Sequence, residues 1–98
     1  MSADSPLAQG EQLFLRGSYA AAGDAFMRAQ GLDLEEGIVG ASRAFAMMGD
    51  RVQAIAVCER ALANAALPDL PLIATQLAEL RLAQGESARA LTLFSQID

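Results

Sequence analysis

One interval pattern recurs three times along the chain. A glycine is followed five residues later by an alanine, and four residues after that by a bulky or sulfur-bearing side chain. The sets are Gly17, Ala22 and Phe26; Gly49, Ala54 and Cys58; and Gly85, Ala90 and Phe94. Ala29, Ala61 and Ile97 add a further mark at a fixed offset. The offsets hold inside each unit while the spacing between units changes. Fixed helices joined by loops of variable length give that behaviour, and repetition with a period of about 34 residues points to a stack of helix–turn–helix units.

The local signals agree. Apolar periodicity predicts helices over roughly 6–16, 19–30, 34–48, 51–66, 70–84 and 86–97. Each register glycine ends the first helix of a pair, where a left-handed residue is needed and glycine adopts it without strain. Ser18, Asp50 and Glu86 follow the glycines. Serine and aspartate are good helix N-caps, and glutamate suits the positive helix end. In the fourth helix, Ala54, Ile55, Cys58, Ala61, Leu62 and Ala65 form the predicted buried stripe, with Gln53, Glu59 and Arg60 outside it. The stretch "ALPDLP" from Ala66 stops one helix and permits the next. Strand-like alternation does not persist anywhere. The expected fold class is all-α, in a single domain over 1–98.

Composition narrows the function. Of 98 residues, 53 % are hydrophobic, enough for one small core. Twenty-one are alanines, which favours closely packed helices. The net charge is −5, and all seven basic residues are arginine with no basic stripe, so nucleic acid is not an expected partner. No apolar run approaches the roughly 20 residues of a membrane span. The opening "MSADSPLAQG" lacks the pattern of a secretory signal. A lone cysteine cannot form a disulfide within the chain, which suits a reducing compartment, and a cytoplasmic location is expected.

Catalysis is not expected. Cys58 has no histidine to serve as its base, because the chain has none. Its register position reads as a small buried apolar site. Asp33, Glu35 and Glu36 form the densest acidic cluster, and their place at a helix start explains them as favourable first-turn charge. "GLDLEEGIVG" has no lysine and is no phosphate loop. Met47 and Met48 point about 100° apart, so one is expected in the core and one on the surface. No cofactor or metal is expected.

The repeated residues resemble the tetratricopeptide repeat, a helix–turn–helix unit with glycine in its turn, a small residue in its second helix, then an aromatic and an alanine. "GSYAAAGDAFMRA" is the closest stretch. The second unit departs from it with Arg51 and Cys58, the third with Ser87 and Ile97, and Leu34 stands where a closing proline is usual. The resemblance implies three tandem repeats, at about 4–33, 34–67 and 70–98, forming a short right-handed α-solenoid with a concave groove. Within the family, "PDLPLIATQLAELRLAQG", with Glu79, Arg81, Leu82 and Gly85, is similar to a segment of small chaperones of bacterial type III secretion, which cradle needle subunits. "EEGIVGASRAFAMMGD" is similar to the segment before it. Translocator chaperones have comparable three-repeat domains.

First helices line the groove in that family. Carried over, its groove positions fall on Leu7, Glu11, Phe14 and Leu15; on Val39, Arg43, Ala46 and Met47; and on Thr75, Glu79 and Leu82. In the third unit Arg81 lands where an aromatic should be buried, and a shifted register burying Ile73, Leu77 and Leu80 also fits. The family's clamp for carboxy-terminal peptides needs lysine and asparagine where this chain has Leu7 and Glu11, so that clamp is absent. A mostly apolar groove suits an amphipathic helix or an extended apolar segment of a protein partner. The helix over 86–97 carries Ala90, Leu91, Leu93, Phe94 and Ile97 with no successor to cover them. Leu91 and Leu93 are therefore expected at an interface with a second copy or another protein. The expected function is a non-catalytic interaction module, as a secretion chaperone or as a scaffold that self-associates through this end.

Overall fold

The computed structural model describes residues 5–64 and 70–83. All regular structure among them is helical. The elements are α1 (Pro6–Leu15), α2 (Tyr19–Met27), a 3-10 turn (Gly31–Asp33), α3 (Leu34–Met47), α4 (Arg51–Ala63) and α5 (Pro71–Ala83). The expected helix over 86–97, with Gly85, Ala90, Leu91, Leu93, Phe94 and Ile97, lies outside the described residues, as does Ala65.

The two described glycine turns are built alike. Gly17 and Gly49 have φ of 81° and 82°. Ser18 N–H donates to the Leu13 carbonyl, and Asp50 N–H to the Phe45 carbonyl, both at 2.9 Å. The glycine N–H groups donate to Phe14 and Ala46, both at 3.0 Å. This pair of bonds satisfies carbonyls that a helix end leaves open. Asp50 then caps α4 by accepting the Gln53 N–H at 3.1 Å. Ser18 occupies the matching place before α2, but its side chain makes no capping bond, contrary to expectation. α1 begins with Ser5 accepting the Ala8 N–H at 3.1 Å and Pro6 in the first helical position.

α2 is shorter than the predicted 19–30. Gln30 is extended and Gly31 is left-handed, with φ of 62°, so the reversal into α3 is made there without a proline. α4 likewise stops at Ala63, because Asn64 turns extended.

Each helix packs on the next, and α3 is central: it touches α1 and α2 on one side and α4 and α5 on the other. Phe26 from α2 explains how tightly the first side closes. A β-carbon at Gly10 of α1 or Gly40 of α3 would stand 2.6 Å from its ring. One at Gly37 would stand 2.5 Å from the Ala29 β-carbon and 2.7 Å from the Phe26 carbonyl oxygen. Three missing side chains let α1 and α3 reach α2. Phe26, Ala22, Ala41 and Ala44 form one core cluster, with Leu7, Leu13, Phe14, Tyr19 and Phe45 packed around it. The Phe14 and Tyr19 rings meet edge to face at 5.1 Å between centroids.

The second cluster joins Ile38, Val57, Cys58, Ala61, Ile73 and Leu77. In α4 the buried face is Ala54, Val57, Cys58 and Ala61. Ile55 is only half-buried and Leu62 is exposed, so the stripe is rotated from the predicted one and centred on Val57. Ser42 is fully buried between these helices. Its hydroxyl donates to the Ala54 carbonyl at 2.8 Å and accepts from Gln76 Nε2 at 3.3 Å. In α5, Ile73, Leu77 and Leu80 are buried, and so is Arg81. The two readings of this helix are reconciled by a charge pair: Arg81 reaches Glu59 on α4. Met47 and Met48 are both exposed, so neither is the core residue expected of one of them.

Candidate functional site

Helical spacing gathers the candidate groove residues. On α1, Leu7, Glu11 and Phe14 recur at four- and three-residue steps and so share a face, with Leu15 beside them. On α3, Val39 and Arg43 are four residues apart. On α5, Thr75 and Glu79 are too. All eight line a single cleft of about 580 Å³. α1, α3 and α5 form its walls, and α3 touches both of the others.

Three candidates fall elsewhere. Met47 (56 % exposed) and Leu82 (44 % exposed) lie one turn beyond Arg43 and Glu79 and do not line the cleft. Ala46 is half-buried and also outside it. The cleft instead extends the other way along α3 and α5, taking in Glu36 and Gly40, and Leu72 and Gln76. The signal for these was present: 36, 39, 40 and 43 follow one helical face, as do 72, 75, 76 and 79. Glu36 has two places at once, in the first turn of α3 and on this face. Phe26, a core residue, also reaches the cleft, beside Gly40.

The lining divides by chemistry. Leu7, Phe14, Leu15, Val39 and Leu72 make its apolar part, and Leu15 and Leu72 are open to solvent, at 86 % and 51 %. The neutral polar groups are engaged internally. Thr75 Oγ1 donates to the Pro71 carbonyl at 2.8 Å, and Gln76 donates to Ser42. Four charged side chains remain, all exposed: Glu11, Glu36, Glu79 and Arg43. None of the four has a hydrogen-bond or ion-pair partner among the described residues.

Cys58 is fully buried and away from this cleft. Burial pushes its thiol up from the ordinary value of 9.0, a hydrogen bond with Ser42 opposes that, and the Glu59 charge adds to it. A thiol so placed behaves as a small apolar side chain. In the acidic cluster, Glu35 is taken up by the Leu72 N–H. Among the described residues no group of three acidic, cysteine or histidine side chains is placed to hold a metal ion. No described helix is long and apolar enough to cross a membrane.

No family model, curated protein or solved structure matches this chain.

Proposed function

We propose that this chain is a non-catalytic protein-interaction module of tetratricopeptide type, which binds an apolar helix or extended segment of a partner. The observation that carries the reading is the cleft. Three helices that are not consecutive in the chain contribute apolar side chains to one concavity, and part of that apolar lining is exposed. A soluble domain gains by covering such a surface with another protein segment. The repeat register and the two matching glycine turns support the family reading of the fold, as a short solenoid.

The narrower reading is a type III secretion chaperone that shields an apolar helix of an export substrate. It is supported by the likeness of the segment that includes Glu79, Arg81 and Leu82. Export-apparatus genes beside the coding gene, and co-purification of a small partner that aggregates alone, are its expected signs.

The test of the cleft is a comparison of variants against the purified partner, identified by crosslinking in its native lysate. Val39→Asp places a charge against an apolar ligand and should weaken binding at least roughly tenfold while helix content is kept. Leu82→Asp, outside the cleft, should bind as the unmodified protein does. If Val39→Asp also binds normally, recognition lies on another surface.

A further inference from the structure

We infer that the segment bound in this cleft is a basic amphipathic helix, with an apolar stripe flanked by lysine or arginine. The inference rests on the interaction-module reading and adds the chemistry of the partner. It starts from what the cleft has left to offer. The hydroxyl of Thr75 and the amide of Gln76 are already bonded within the protein. The charged groups with no described partner are Glu11 on α1, Glu36 on α3 and Glu79 on α5, against the single cation Arg43.

Each of the three walls therefore carries a carboxylate and an apolar side chain: Glu11 and Phe14 one turn apart along α1, Glu36 and Val39 one turn apart along α3, and Glu79 about two turns from Leu72 along α5. An apolar segment with neutral flanks would cover the leucines and valine and leave the carboxylates without a counter-charge. An acidic one would be repelled. A basic one places cations where the carboxylates stand, and complementary charge fixes partner choice and speeds encounter. A second copy of this chain is a poor occupant on the same ground, since each copy carries a net charge of −5.

The inference is tested with three synthetic helical peptides of about 18 residues, five turns. They share leucines at i, i+3, i+4 and i+7, and carry lysine, glutamine or glutamate on the flanks. Binding is followed by amide chemical-shift changes in isotope-labelled protein, at low and high salt. The lysine peptide should bind roughly tenfold more tightly than the glutamine peptide at low salt, with shifts on α1, α3 and α5. That margin should shrink at high salt, where exposed charges are screened. In the triple variant Glu11→Gln, Glu36→Gln, Glu79→Gln the margin between the lysine and glutamine peptides should vanish.

Equal binding of lysine and glutamine peptides in the cleft overturns the charge inference and leaves the interaction-module reading standing. A lysine preference that survives the triple variant overturns it too, because the attraction then comes from the acidic surface at large. If no peptide shifts cleft amides at millimolar concentration, or if Val39→Asp leaves binding of the neutral glutamine peptide unchanged, both readings fall. If light scattering shows a dimer that Val39→Asp dissociates, the occupant is a second copy and the basic partner is wrong.

Discussion

The carboxylate of Glu35, in the first turn of α3, accepts the backbone N–H of Leu72, in the first turn of α5, at 2.7 Å. Two helix starts are thus tied together across 37 residues of sequence. α5 needs the help. Leu70, just before it, has no side-chain oxygen, and Pro71 has no N–H, so Leu72 offers the first open donor. The negative charge also favours both helix ends. This bond sits beside the cleft, where Leu72 and Glu36 are both lining residues, so it sets where α5 stands against α3.

Removing the Glu35 side chain should loosen that end of α5. We expect Glu35→Ala to cost about 1 kcal/mol, in the range of a lost helix cap. Glu36→Ala, one residue on, caps nothing and should change stability little. Chemical denaturation of the two variants gives the comparison. Equal losses would mean that first-turn charge alone matters and the link to Leu72 does not.

Glycines in α2 and α3 should respond in opposite directions. A β-carbon at Gly23 would meet only ordinary contacts, the nearest at 3.5 Å from the Phe45 ring. Gly23→Ala should therefore stabilise by about 0.5–1 kcal/mol, the usual advantage of alanine inside a helix. At Gly37 the new carbon would strike the Phe26 carbonyl, which is backbone and cannot swing away. Gly37→Ala should destabilise by about 1–3 kcal/mol by prising α3 from α2. Melting curves for both variants decide it, and a Gly37→Ala protein as stable as Gly23→Ala would show that the close approach is not real.

The sequence was most informative where one residue type has one physical use. Gly17 and Gly49 could be read as left-handed helix ends because few other residues adopt that conformation, and Ala22 and Ala54 as buried because the register placed them between helices. The cleft residues on α1, and Val39, Arg43, Thr75 and Glu79, followed from helical spacing together with the family likeness. Two kinds of feature were not legible. Gly10, Gly37 and Gly40 have meaning only once Phe26 is placed in space, and nothing local marks them. Arg81 breaks an apolar pattern, and its pairing with Glu59 lies 22 residues away on another helix, where nothing local marks it. Exact cleft ends were lost for a related reason: a face can be read along a helix, but where its neighbour stops covering it cannot.

Ala54 tests the buried register on α4. It is fully buried, and its carbonyl accepts the Ser42 hydroxyl from α3. Ala54→Leu adds volume where the two helices meet and should cost about 1–3 kcal/mol. Gln53 is exposed one residue away, so Gln53→Leu should stay within about 0.5 kcal/mol of the parent. A similar melting temperature for the two variants would mean that α4 is rotated from the position described.

Cys58 makes the stability depend on alkaline pH. Burial holds its thiol above the ordinary value of 9.0 in the folded protein, against the opposing hydrogen bond with Ser42. The unfolded chain, with its thiol in water, gives up the proton first as pH rises. Raising pH therefore draws the equilibrium towards the unfolded state, beginning near the ordinary thiol value and ending once the folded thiol ionises as well. The contribution is complete below about pH 9. We expect denaturation midpoints of the unmodified protein to fall from pH 8 to pH 10 more steeply than those of Cys58→Ala, which has no thiol to titrate. Tyr19 and the arginines are common to both proteins, so the difference in slope belongs to Cys58. The same burial predicts slow reaction of the native thiol with a disulfide reagent at pH 8, and fast reaction in denaturant. Parallel pH profiles for the two proteins, or a native thiol that reacts as fast as the unfolded one, would place Cys58 at the surface and remove it from the core it shares with Val57 and Ile73.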